Sequence, residues 1–177
     1  MGGILGLKRN RSVARLAANL LGVNGAMTVD TNADGVVDGF THAHSNEASV
    51  LSLDAGMPGQ KVTLADVTAA NAFVYIYEAA AHAVSPNTVC ALSVDAALVR
   101  SGAETIKVRI SWFTAGTVWI SDSASAEINP GPAYSRQQVV VTSPATAALA
   151  ITYFFVYAKT IGATGQAWFK DALFQAA

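Results

Sequence analysis

Residues 30–40 read Asp-Thr-Asn-Ala-Asp-Gly-Val-Val-Asp-Gly-Phe. Oxygen-bearing side chains at Asp30, Asn32, Asp34 and Asp38 alternate with other residues, and Gly35 stands where a cation-binding loop turns sharply. A hard cation such as Ca²⁺ takes roughly six to eight oxygens at about 2.3–2.6 Å. A D-x-N-x-D-G run supplies three side chains plus a backbone carbonyl, here that of Val36. Thr41 occupies the position where an EF-hand loop closes with a bidentate Glu, so a complete shell needs a carboxylate from elsewhere. The competing reading is an Asx-rich turn without metal, because Asn, Asp and Gly favour turns unaided.

Other reactive residues are sparse. His42 and His44 form a His-x-His pair that would share one face of a strand, which is how some zinc sites begin. One further histidine and one cysteine are too few to extend that pattern. Cys90 sits in an apolar run with no basic neighbour, which fits a small buried residue rather than a nucleophile, and a lone cysteine rules out an internal disulfide framework. The chain has no Gly-x-Ser-x-Gly, no phosphate-cradling glycine loop and no His-Glu-x-x-His. A glycosidase needs paired carboxylates; the chain has only 12 acids, and four of the most clustered fit metal or turn roles. The expectation is a protein that is not an enzyme.

The elements that must position these residues read as strands. Hydrophobic residues make up 52% of the 177 and charged ones 13%, enough to build one sizeable core and too little charge for a disordered chain. No stretch reaches the ~18 uninterrupted apolar residues of a spanning helix, so no membrane partner is expected. Segments 47–53, 60–64, 71–77, 89–97, 105–113, 117–121, 136–142, 149–158 and 166–174 are apolar or alternating, with Gly/Pro-rich turns between many of them. In 71–77, Phe73, Tyr75 and Tyr77 fall on one face and Val74 and Ile76 on the other. In 105–113, Ile106, Val108, Ile110 and Trp112 oppose Lys107, Arg109 and Ser111. Short strands at this spacing, without a helical period after residue 20, predict an all-β antiparallel sandwich over residues 19–177.

Residues 1–18 read as a separate basic arm, helical around 12–21, where Ser12 can cap and Val13, Leu16, Ala17, Leu20 and Leu21 share a face. Four of the 11 basic residues (Lys8, Arg9, Arg11 and Arg15) lie in this arm, which holds no acid, so the remaining seven face all 12 acids. A basic arm on an acidic body predicts docking, with Ile4, Leu5 and Leu7 packing on a partner and the four bases pairing with its acids. An acidic protein surface is the expected partner in preference to nucleic acid. The apolar residues precede the charges, which reverses the order of a secretory signal.

The order of signals resembles carbohydrate-binding-module-like jelly rolls, common at the ends of glycosidases and in phage tail and capsid proteins. Asn19-Leu20-Leu21, then Asn24-Gly25, the Asp/Asn loop and Asp38-Gly39-Phe40 are similar to the opening of such modules. Ala167-Trp168-Phe169-Lys170-Asp171 is similar to their closing strand, and Ser85-Pro86-Asn87 before Leu92-Ser93-Val94 to an internal turn and strand. Two departures stand out: Met27-Thr28 where Phe-Glu is usual, and Lys170 in place of the first acid of the closing pair. The resemblance implies a structural Ca²⁺ drawing on Asp171 beside Asp30, Asn32, Asp34, Val36 and Asp38. It also implies pyranose stacking on exposed aromatics, for which Tyr75, Tyr77 and Trp119 are the candidates, whereas Trp112 and Trp168 read as core. From the arm and the low-charge surface, the leading expectation is a structural subunit of a phage-like virion, a capsid decoration or tail accessory protein bound to itself or to other capsid or tail subunits. The alternative is a soluble carbohydrate-binding module that recognises cell-surface glycans.

Overall fold

A computed structural model describes residues 18–45 and 49–177. Eleven strands form two antiparallel sheets: β1 (Phe40–His44), β2 (Val50–Leu53), β3 (Gln60–Thr63), β4 (Ala72–Glu78), β5 (His82–Ala83), β6 (Val89–Val99), β7 (Thr105–Phe113), β8 (Trp119–Ala124), β9 (Ser135–Thr142), β10 (Leu149–Ala158) and β11 (Gln166–Ala176). Sheet A runs β1-β4-β10-β7-β8, with β5 also pairing β10, and sheet B runs β2-β3-β11-β6-β9. The chain crosses between sheets after β1, β3, β5, β6, β8, β9 and β10, which is the all-β antiparallel sandwich that the alternation predicts, of the jelly-roll type that the resemblance implies.

Period-two patterning explains why each strand lies where it does. Val74 and Ile76 of β4, Ile106, Val108, Ile110 and Trp112 of β7, and Phe154 and Val156 of β10 are fully buried, facing Leu92, Val94, Phe169 and Phe174 from sheet B. Phe154 meets Phe40 at 6.2 Å and Phe169 at 5.8 Å between ring centroids, tying the two sheets together. Cys90 is buried among these residues, and burial pushes its thiol pKa up.

Two expectations need correction. Residues 18–21 are not helical, and the one helix among the described residues is a 3₁₀ turn, Gly22–Ala26. The reason is competition from β11. The Leu20 N–H donates to Phe174 O at 2.8 Å, while Asn19 Oδ1 accepts the Phe174 N–H at 3.0 Å and Asn19 Nδ2 donates to Ala172 O at 3.1 Å. The segment thus covers the edge of β11 beyond its pairing with β3. Trp168 is also not a core residue. It is only 5% exposed, but it lies on the outer face of sheet B opposite Ala97, with Lys61 5.2 Å above its ring and its indole N–H donating to Asp54 at 3.1 Å. The arm residues Ile4, Leu5, Leu7, Lys8, Arg9, Arg11 and Arg15 lie outside the described residues.

Candidate functional site

The outward face of sheet A carries six aromatic side chains from two adjacent strands. Because Val74 and Ile76 of β4 point inward, Phe73, Tyr75 and Tyr77 point out. The same logic in β10 turns Tyr153, Phe155 and Tyr157 outward beside them, with Tyr153 opposite Tyr77, Phe155 opposite Tyr75 and Tyr157 opposite Phe73. The six rings form a two-column, three-row ladder. Neighbours within a column lie 5.5–6.0 Å apart. Across the columns Tyr77 stacks on Tyr153 at 5.2 Å and Tyr75 meets Phe155 at 4.8 Å. Five of these side chains are half-buried and only Phe155 is fully covered. Burial pushes the Tyr153 and Tyr157 hydroxyls above the ordinary tyrosine range.

β7 lays cations along the ladder. Lys107 and Arg109 pair in register with Phe155 and Tyr153. The Arg109 guanidinium carbon sits 4.4 Å from the Tyr153 centroid and 4.5 Å from that of Phe155, and Lys159 sits 4.6 Å from Tyr157. At the far end, Asp122 of β8 accepts from Ser111 Oγ at 2.7 Å and from the Trp119 indole N–H at 3.1 Å, and pairs with Arg109 at 3.3 Å. Trp119 is 59% exposed and has no ring partner among the described residues, so its face is free for a ligand.

Of the residues expected to bind sugar, Tyr75 therefore stands in the middle row of a continuous platform, Tyr77 in its end row, and Trp119 at its rim on the β7–β8 hairpin. Tyr153, Phe155, Tyr157 and Arg109 complete the platform. Their signal was the alternation within 149–158 and 105–113, but strand neighbourship between β4 and β10 was needed to place them together.

The acidic loop is a second, separate feature. Five of the six carboxylate oxygens of Asp30, Asp34 and Asp38 accept hydrogen bonds within the loop: from Gly35 N–H, Val36 N–H, the Asn32 amide, Thr31 N–H and the Thr31 hydroxyl. Only Asp30 Oδ1 is buried without a partner. Gln60, fully buried, fastens the loop to sheet B: its Oε1 accepts the Val37 N–H at 2.8 Å and its Nε2 donates to Gly35 O at 2.9 Å. Gly35 has φ +86°, and a Cβ there would stand 2.4 Å from Leu51 O. Asp171 does not join the loop in a group of metal-binding side chains; it pairs with Lys170 at 3.5 Å and lines a groove with Asn19, Asp95 and Arg136. A cation has one orphaned oxygen, Asp30 Oδ1, as its point of entry, and the rest of the loop is already closed as a turn. His42 and His44 do share a face on β1, with rings 6.3 Å apart, and no third ligand joins them among the described residues.

Similarity to known proteins is confined to structure. No protein-family model matches the chain, and neither does any curated protein sequence. A bacteriophage CBA120 tailspike protein 4 enzymatically active domain superposes with TM-score 0.61 at 12% identity over 90% of this chain. The chain spans only 21% of that tailspike chain. A CBM22-1 xylan-binding domain of Paenibacillus barcinonensis Xyn10C superposes with TM-score 0.56 at 13% identity, covering 92% of this chain and 97% of that one. TmCBM61, solved with β-1,4-galactotriose, gives TM-score 0.53 at 8% identity, covering 90% and 99%. The fold of this chain is a carbohydrate-binding-module-like β-sandwich.

Proposed function

We propose that the protein is a non-enzymatic glycan-binding module whose binding surface is the outward face of sheet A. The observation that carries this reading is the half-exposed aromatic ladder of Tyr75, Tyr77, Tyr153 and their neighbours, ending in the exposed Trp119. Aromatic side chains offer pyranose C–H surfaces a rigid apolar contact at low entropic cost, and the Asp122–Ser111–Trp119 group adds polar atoms fixed in direction. Glycan-array screening followed by calorimetry tests it. Tyr77→Ala and Trp119→Ala each lower affinity about three- to tenfold, the scale of one lost aromatic contact. Absence of glycan binding, or wild-type affinity in both variants, refutes the reading.

A phage-particle setting is the second reading, and the likeness to a tailspike domain supports it. In this reading the module is an accessory subunit that uses the same face on host-surface glycans. Mass spectrometry of purified particles tests it, and a chain absent from the particle refutes it. For the Asp30–Asp38 loop the proposal is a structural Ca²⁺, supported by the orphaned Asp30 Oδ1. Added Ca²⁺ raises the melting temperature if this holds; an unchanged melt with and without chelator assigns the loop to a plain turn.

A further inference from the structure

We infer that the sheet A face selects anionic glycans, those carrying carboxylate or sulfate groups, over neutral ones. The inference rests on the glycan-binding reading and deepens it. The face presents three cations, Lys107, Arg109 and Lys159, and each lies on or beside an aromatic row. Two acids face them. Asp122 is held by Arg109, Ser111 and Trp119, and Glu127 is held by Lys159 at 2.6 Å and by the Thr105 hydroxyl at 3.1 Å. The hydrogen bond from Lys159 keeps the Glu127 carboxyl below the usual range despite its partial burial, so both its charge and its nearest cation are committed.

Lys107 is the surplus. It stands in register with Phe155 at the middle row, two residues from Arg109 on the same face, and forms no salt bridge of its own among the described residues, although its charge adds to that of Lys159 in holding Glu127 ionised; three cations thus stand against two acids. A sugar lying on the middle row would have Lys107 on the neighbouring strand position and the Arg109 guanidinium one step away. Arg109 uses one terminal nitrogen on Asp122, and its Nε is buried out of a ligand's reach, so the second terminal nitrogen is the donor left for a ligand. A neutral glycan would leave those charges unanswered in a partly dehydrated site, whereas a carboxylate or sulfate on the sugar would be met by charge-assisted hydrogen bonds. Apolar rows beneath supply the stacking, and the surplus charge supplies the selection.

The test is a glycan array holding neutral, uronate-bearing and sulfated glycans, followed by titration of the best binders at rising NaCl. Matched pairs separate charge from backbone: polygalacturonate against its methyl ester, and a sulfated galactan against its desulfated form. The charged member of at least one pair binds about three- to tenfold tighter, the scale of one or two partly exposed ion pairs. The advantage shrinks as salt rises toward 1 M, where screening acts within about 3 Å. Which pair responds identifies carboxylate or sulfate as the group recognised. Lys107→Glu lowers the anionic-to-neutral affinity ratio, and Lys107→Gln lowers it less. Salt-insensitive binding of neutral glycans alone overturns the selectivity while leaving the glycan-binding reading in place; binding to no glycan at all overturns both.

Discussion

Replacing Gln60 with leucine removes every polar atom of a fully buried side chain while keeping its approximate bulk. Gln60 Oε1 is the acceptor for the Val37 N–H at 2.8 Å. Its Nε2 has two hydrogens and reaches three carbonyls: Gly35 O at 2.9 Å, and Ser52 O and Lys61 O at 3.1 Å each. Leucine leaves the Val37 donor and the Gly35 acceptor without these partners, and each such group costs about 1–3 kcal/mol when stranded in the interior. Partial relaxation of the exposed loop lowers the sum, so Gln60→Leu should destabilise by about 3 kcal/mol. That is a large share of the ~5–15 kcal/mol by which domains are stable. For a chain of this length it corresponds to a fall in Tm of roughly 6–12 °C. Urea and thermal melts followed by tryptophan fluorescence measure it, and amide exchange at Val37 should accelerate. Gln60→Glu should be more harmful at pH 7 than at pH 4, because a carboxylate in this setting is both desolvated and aimed at carbonyl oxygens. A Gln60→Leu variant that melts within about 2 °C of wild type, with the Val37 amide still protected, would refute the anchoring argument.

Three further outcomes follow from the same geometry. Gly35→Ala combines a φ of +86° with a Cβ 2.4 Å from Leu51 O and should cost roughly 3 kcal/mol in urea denaturation; a variant of wild-type stability would show that the turn can rearrange. Asp54 is held at about 2, below its ordinary 3.8, chiefly by the Trp168 indole and then by the Gly56 and Met57 amides. A depressed folded value means that its contribution is present above 3.8 and lost as pH falls toward 2, so Tm should drop across that window and Asp54→Asn should flatten the drop. Burial raises the Tyr134 hydroxyl from 10.0 to about 12, aided by Asp54, so the unfolded chain ionises first and stability should decline between those values; Tyr134→Phe, read by the same melts, should lessen the decline.

Strand positions were legible wherever alternation was strict. The segments 105–113 and 149–158 fall on β7 and β10: in β7 Ile106, Val108, Ile110 and Trp112 alternate with Lys107, Arg109 and Ser111, and in β10 buried Ala150, Thr152, Phe154 and Val156 alternate with half-exposed Ile151, Tyr153 and Tyr157. β1 was missed because Phe-Thr-His-Ala-His offers only one strongly apolar residue at its inward positions, and His42 and His44 lie at an exposed sheet edge. β5 has two residues, too few to carry any period. The opening Asn-Leu-Leu reads locally as the tail of a helix. It takes its conformation from β11, more than 150 residues away, through Asn19 and Leu20. Trp168 shows the limit of burial as a predictor, since a residue 5% exposed can be covered by a lysine stem and a carboxylate rather than by the opposite sheet.

The candidate site was half legible for a related reason. Tyr75 and Tyr77 share a face by the period of β4 alone, but a pair of tyrosines on one strand is a small patch. What makes a platform is that β10, some 75 residues later, places Tyr153, Phe155 and Tyr157 in register beside them, and that β7 lays Arg109 over the result with Lys107 in the neighbouring register position. Cross-strand pairing is fixed by the whole sandwich, so no local window contains it. The acidic loop is the opposite case: all its residues are adjacent in sequence, its spacing is conspicuous, and the folded loop spends most of its oxygens on its own backbone and side chains. Local spacing thus drew notice to a loop that is largely closed on itself, while the surface suited to a partner was dispersed over four strands, β4, β7, β8 and β10. Mutations in the loop should accordingly report on stability, and mutations across β4, β7 and β10 on binding. A Tyr77→Ala variant that loses stability as Gln60→Leu does, yet keeps its ligand, would break that division.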